Sequence, residues 1–192
     1  MTSEKGPTVD DRLGTVVHDG GRIALRYERR LAHPVEKVWR AITESEHLRH
    51  WFPADIVGER RPGARVELPF WPESVIHGAA EIEAAGIDLD DPSMPGEIRT
   101  WEPPRLFELV WGEPGAGAEL LRFELHPDGD GTRLTFTTWL GEPGPGGHAG
   151  TAAGYHVCLD ALEELLSTGR TTPPALADTG DLRARYAPLV AE

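Results

Sequence analysis

His33-Pro34-Val35-Glu36-Lys37-Val38-Trp39-Arg40-Ala41-Ile42-Thr43 and Gly154-Tyr155-His156-Val157-Cys158-Leu159-Asp160-Ala161-Leu162-Glu163-Glu164-Leu165-Leu166 decide the reading of this chain. In the first stretch Pro34 opens a helix at a position where its missing N–H costs nothing. Val35, Val38, Trp39 and Ile42 then fall on one face at helical spacing. In the second, Tyr155, Cys158, Leu159, Leu162, Leu165 and Leu166 make an apolar stripe. His156, Asp160, Glu163 and Glu164 are assigned to its wet side. A single long helix is expected over 151–168, closed by Gly169 as its C-terminal cap.

The chain between these helices alternates with period two and is cut by Gly and Pro. Residues 22–31 set Ile23, Leu25 and Tyr27 against Ala24, Arg26 and Glu28, the pattern of a half-buried strand. A short helix around 46–50 delivers Trp51 and Phe52 before Pro53 ends it. Strands follow at 56–59 and 65–70, the latter with Val66, Leu68 and Phe70 on one face. Residues 76–87 are read as a further strand, followed by an acidic loop through Asp88, Asp90 and Asp91. Strands at 96–102 and 106–112 flank Pro103-Pro104. Strands at 119–126 and 132–140 flank Asp128-Gly129-Asp130-Gly131, a strong hairpin signal. Leu121, Phe123 and Leu125 alternate on one arm, and Leu134, Phe136, Thr138 and Leu140 on the other. Residues 141–150 form a Gly/Pro loop. Beyond Pro173-Pro174, Leu182, Tyr186 and Leu189 are spaced for a short docking helix. The organisation expected is a loose arm over 1–21, one domain over 22–169 and a tail over 170–192.

Composition narrows the function. The 192 residues carry a formal charge of −13, which argues against nucleic acid and anionic membrane as partners. No apolar run approaches the roughly 20 residues needed to span a bilayer. Residues 1–11 are polar and lack the build of a signal peptide, so a cytoplasmic protein is expected. Cys158 is the sole cysteine, so no intrachain disulfide can form.

The order strand, short helices, meander of strands and long closing helix resembles the helix-grip fold of the START and birch-pollen-allergen (Bet v1-like) superfamily. Within it the chain resembles the small bacterial proteins named after the activator of the Hsp90 ATPase. The resemblance covers 23–167. It rests on Pro34-Val35 with Val38-Trp39, on Gly96 with Pro103-Pro104-Arg105-Leu106 and Trp111, on Gly131-Thr132-Arg133-Leu134, and on Gly154 with Leu159-Asp160-Ala161-Leu162. It implies an α+β fold in which a curved antiparallel sheet wraps a long C-terminal helix and leaves a cavity between them. Tyr155 stands where relatives usually have Trp, Thr138 where many have His, and 73–95 is longer than usual.

The resemblance makes the cavity the expected site, with a small apolar or aromatic molecule as its partner. Its expected lining is Trp51, Leu68, Phe70, Trp111 and Phe123, completed by Phe136, Thr138, Tyr155 and Leu159. Aromatic walls with a few polar groups suit such ligands, with plain core as the equal alternative for Trp51, Trp111 and Tyr155. No nucleophile elbow is present. An acid–base pair needs only convergence in space, which leaves His77, His156, Glu108, Glu124, Arg122 and Tyr155 as candidates. A cyclase, aromatase or hydrolase using the cavity is the alternative reading. A co-chaperone role, which the family name suggests, ranks third. His47 with His50, and His156 with Asp160, share helical faces but lack a third ligand at metal-site spacing. The 141–147 loop lacks a phosphate-binding ending. No metal or cofactor is expected, and the chain is read as a monomer or homodimer.

Overall fold

Alternation of period two builds the sheet. The computed structural model describes residues 12–19, 21–115, 118–144, 146–171, 174 and 178–191. Its strands are β1 (Thr15–Asp19), β2 (Arg22–Leu31), β3 (Val57–Gly58), β4 (Arg65–Pro69), β5 (Ser93–Glu102), β6 (Leu106–Trp111), β7 (Glu119–Asp128) and β8 (Gly131–Trp139). Its helices are α1 (Val35–Thr43), α2 (Ser45–Leu48), α3 (Pro72–Ala84), α4 (Gly147–Thr168) and α5 (Gly180–Tyr186). The strands pair antiparallel in the order β1-β2-β8-β7-β6-β5-β4-β3.

Register follows burial. In the β7–β8 hairpin Leu121 faces Thr138, Phe123 faces Phe136 and Leu125 faces Leu134. All six are buried, so a slip of one residue would turn an apolar face to water. Asp128 pairs with Gly131 across a two-residue turn in which Gly129 has φ 60°. Gly131 is required for a different reason: an added Cβ would collide with the Leu31 carbonyl.

The long helix α4 lies on the concave face against β2, α1 and α5. Leu159 and Leu162 are buried there, as their place in the stripe requires. Gly169 caps the helix with φ 73° and an N–H bonded to the Leu165 carbonyl. This is the helix-grip architecture expected from the sequence.

Four local expectations are corrected. Residues 15–19, read as part of a loose arm, form edge strand β1, paired with β2. None of its residues is fully buried, Val17 included, so no in-out alternation marks it, while β-branched Thr15, Val16 and Val17 suit a strand; residues 1–11 lie outside the described set. Residues 76–87, read as a strand, belong largely to α3, kinked at Gly78. Its alanines favour a helix, and Ile76 is exposed while Ile82 is buried, a spacing without period two. The 141–150 loop ends early, because α4 already begins at Gly147. His156, assigned to water, is 2% exposed because α5 docks over it, with Tyr186 fully buried and Leu189 left outside.

Candidate functional site: a glycine-lined cavity with a half-buried acid

The two halves of α4 differ in bulk, and that difference makes a cavity. Its C-terminal half carries Leu159, Leu162, Leu165 and Leu166 into the core. Its N-terminal half presents Gly147, Gly150 and Gly154 at helical spacing, and a Cβ added to Gly154 would meet nothing within 4 Å. A space of about 830 Å³ opens there between α4, the β4–β6 end of the sheet, α3 and the start of α5. That volume lies in the range that holds small organic ligands.

Aromatic rings form one wall. Trp111 meets Phe52 and Phe70 edge-on, with centroids 5.3 and 5.9 Å apart, and Met94, Ile82 and Ile87 extend it. Cys158 also borders the space, but burial pushes its thiol up to about 12, so a nucleophilic thiolate is not formed at neutral pH. Arg49, His50, His77 and Arg183 are exposed around the mouth.

Among the polar residues that line the cavity, which include Glu73 and Ser74 on α3 and Thr151 on α4, Glu119 stands at the first position of β7. Thr138 Oγ1 donates a 2.6 Å hydrogen bond to Glu119 Oε1, and the Tyr155 phenol stands against the same carboxylate. Burial raises the Glu119 pKa; Thr138, Tyr155 and the more distant Arg22 and His148 only partly oppose it. The Tyr155 phenol is held well above its ordinary range by burial and by the Glu119 charge. Arg22 commits its guanidinium to the carbonyls of Ala118, Trp139 and Leu140, at 2.6, 2.9 and 3.0 Å.

Of the expected lining, Phe70, Trp111 and Tyr155 border the cavity. Trp51, Leu68, Phe123, Phe136, Thr138 and Leu159 are instead buried core, none more than 2% exposed. Phe123 packs on Phe136, Phe107 and Trp51 with centroids 4.7, 5.8 and 6.2 Å apart. Trp51 Nε1 is used internally, donating to the Ala41 carbonyl at 2.8 Å. The space lies nearer the sheet edge than the parity of these residues suggests. Thr138 reaches it only through Glu119.

The acid–base candidates are scattered. Arg122 lies between Glu108 and Glu124, at 3.5 and 3.4 Å, on the opposite sheet face, because even positions of β7 point away from the helix. His156 Nε2 lies 3.3 Å from the Asp160 carboxylate, and its Nδ1 shares a 2.9 Å hydrogen bond with the Tyr186 hydroxyl. Tyr186 accepts in turn from the Gly14 N–H at 2.8 Å. Asp160 also takes Arg12 and Arg29 at 2.7 and 3.2 Å. Burial alone would raise Asp160, but hydrogen bonds from His156 and Arg12 outweigh it and hold the carboxyl below its ordinary range. This network ties α5 and the lead into β1 onto α4. Glu44, Glu46 and His47 lie together at the surface around α2, with His47 Nε2 3.8 and 3.6 Å from the two carboxylates.

Glu119 escaped the sequence reading, yet a signal was there. Counting two residues back from Leu121, Phe123 and Leu125 puts it on the inward face, where an acid is out of place.

A helix-grip domain with a cavity against its long helix is the class that these features define. The family model described as "Activator of Hsp90 ATPase homolog 1-like protein" matches residues 32–167. The chain belongs to that family. No curated protein matches it. Among solved structures it is similar to EF2215 of Enterococcus faecalis, a conserved protein of unknown function, at 18% identity and TM-score 0.69, covering 91% of this chain and 88% of the other. CalU16 of Micromonospora echinospora shares 19% identity at TM-score 0.63, over 93% and 96% of the two chains. The protein encoded by BPP1335 of Bordetella parapertussis shares 26% at TM-score 0.67, over 94% and 95%. These similarities extend the fold assignment across nearly the whole chain.

Proposed function

We propose that this protein binds a small, largely apolar organic molecule in the cavity beside the N-terminal half of α4. The observation that carries the reading is the glycine face of that helix. Glycine in a helix interior costs about 1 kcal/mol against alanine, and here both Gly150 and Gly154 border the cavity, where a Cβ added to Gly154 would meet only open space. A helix that gives up stability to keep a space open, beside an aromatic wall, is well explained by an occupant. Scattered exposure supports a small molecule over a protein partner. Among the described residues the exposed large apolar side chains, Val17, Val57, Ile76, Leu89 and Leu189, stand on separate elements.

A catalytic use of the same cavity has one observation in its favour. Glu119 and Tyr155 put a carboxyl of raised pKa and a phenol side by side at its wall, the kind of environment in which acids and bases are tuned. Native mass spectrometry of the protein purified from its own host tests the binding reading. A retained organic molecule, released on denaturation, is expected; a bare chain that also takes up no apolar probe contradicts it.

A further inference from the structure

The apolar walls say little about which molecule fits, but the acid does. Glu119 has its carboxyl on the inward face of β7, diagonal to Thr138 on β8, and borders the cavity. Among the described residues its hydrogen-bonding side chains are hydroxyls, those of Thr138 and Tyr155, and it forms no ion pair. The nearby basic side chains are engaged elsewhere: Arg22 on three carbonyls, and His148 Nε2 with the Gly141 carbonyl at 3.2 Å. A carboxylate offers about four lone-pair sites, so two hydroxyl donors leave acceptor capacity unused. A half-buried charge of this kind is stabilised by an opposite charge or a donor.

We propose that the cavity takes an organic amine with an apolar, ring-sized body, its protonated nitrogen on the Glu119 carboxylate and its rings against Phe52, Phe70 and Trp111. This rests on the reading of the cavity as a ligand site. An amine brings the missing counter-charge, so the pair enters the low-dielectric space neutral. An acidic ligand would set a second carboxylate beside the first, and one of the two would have to take up a proton. Such an acid can turn its charge outward to Arg49 and Arg183, but both are exposed there, and screening by water weakens that attraction. The formal charge of −13 acts in the same direction, favouring cations over anions around the molecule.

Three probes of one shape separate the possibilities: 1-methylpyrene, 1-pyrenemethylamine and 1-pyrenecarboxylate. Each is titrated by fluorescence against the full chain and its Glu119→Gln variant at pH 7.5. The amine should bind at least tenfold more tightly than the hydrocarbon, and the carboxylate at least tenfold more weakly. In Glu119→Gln, with circular dichroism confirming that it is folded, the amine should lose its advantage and bind within about twofold of the hydrocarbon. An amine advantage that survives in Glu119→Gln, or a carboxylate that binds as well as the amine, overturns the proposal. Hydrocarbon binding without amine preference overturns it but leaves the ligand site standing. No binding by any of the three overturns both.

Discussion

Thr138 and Glu119 are joined by a 2.6 Å hydrogen bond between neighbouring strands, on the sheet face that the long helix covers. The bond holds an acid at the wall of the cavity, close to its aromatic side, and Tyr155 supports it from the helix side. Both donors favour the ionised carboxyl, while burial favours the neutral one. The balance is a raised pKa that each neighbour should move in a known direction.

Thr138→Val removes a hydroxyl and keeps the shape. It should raise the Glu119 titration midpoint further, and Tyr155→Phe should do the same to a smaller extent, because Thr138 is the stronger of the two opposing influences. Carbon-13 NMR of the side-chain carboxyl follows both. A midpoint that falls, or stays still in both variants, would show that neither hydroxyl acts on Glu119.

Glu119 itself should weaken the fold at high pH. Its folded pKa lies above the unfolded one, so the folded state holds the proton more firmly. That relative stability is complete below the unfolded carboxyl value of about 4.3 and lost as pH rises through the folded value. The neutral Glu119→Gln variant should therefore gain on the parent as pH rises from 4 to 8, read as the difference in denaturant midpoint. A constant difference across that range counts against a raised Glu119 pKa.

Asp160 should do the opposite. Facing His156, Arg12, Arg29 and, through His156, Tyr186, it is held below its ordinary range. Its contribution is present above the unfolded value of about 3.9 and lost as pH falls through the folded one. Asp160→Asn should be less stable than the parent at pH 6, and the gap should narrow below about pH 4. Equal gaps at pH 6 and pH 3 would remove the charge from the account of how α5 docks.

Leu162→Ala should cost about 2–5 kcal/mol, the usual range for emptying a buried leucine site, since Leu162 is fully buried under the sheet. Urea unfolding measures it. A loss under about 0.5 kcal/mol, the level of an ordinary surface change, would mean that α4 does not grip the sheet as described.

Much of the fold was legible because period-two alternation and one helical stripe leave few alternatives. The hairpin around Gly129, the α4 cap at Gly169 and the burial of Leu159 all follow from local chemistry. The 72–84 helix was missed because isoleucines dominated the eye over alanines. The cavity was only partly legible. Parity tells which face Phe123 and Phe136 point to, but not whether space remains there, and α1 packs against that part of the sheet. Space depends on what is absent from the facing helix, and the glycines at 147, 150 and 154 carried that information. His156 was misplaced because nothing local announces that a segment thirty residues on, ending in Tyr186, will cover it.

Gly154 gives the most direct test of the central claim, that this cavity is kept open for a ligand. Because an added Cβ there meets nothing, Gly154→Ala should retain binding and raise stability by up to about 1 kcal/mol. Gly154→Phe should fill the space without displacing the core. The measurement is the affinity of 1-methylpyrene for the parent and for Gly154→Phe, with circular dichroism confirming that both are folded. The account predicts at least a tenfold loss in the phenylalanine variant; a folded Gly154→Phe that binds the probe as tightly as the parent would contradict it.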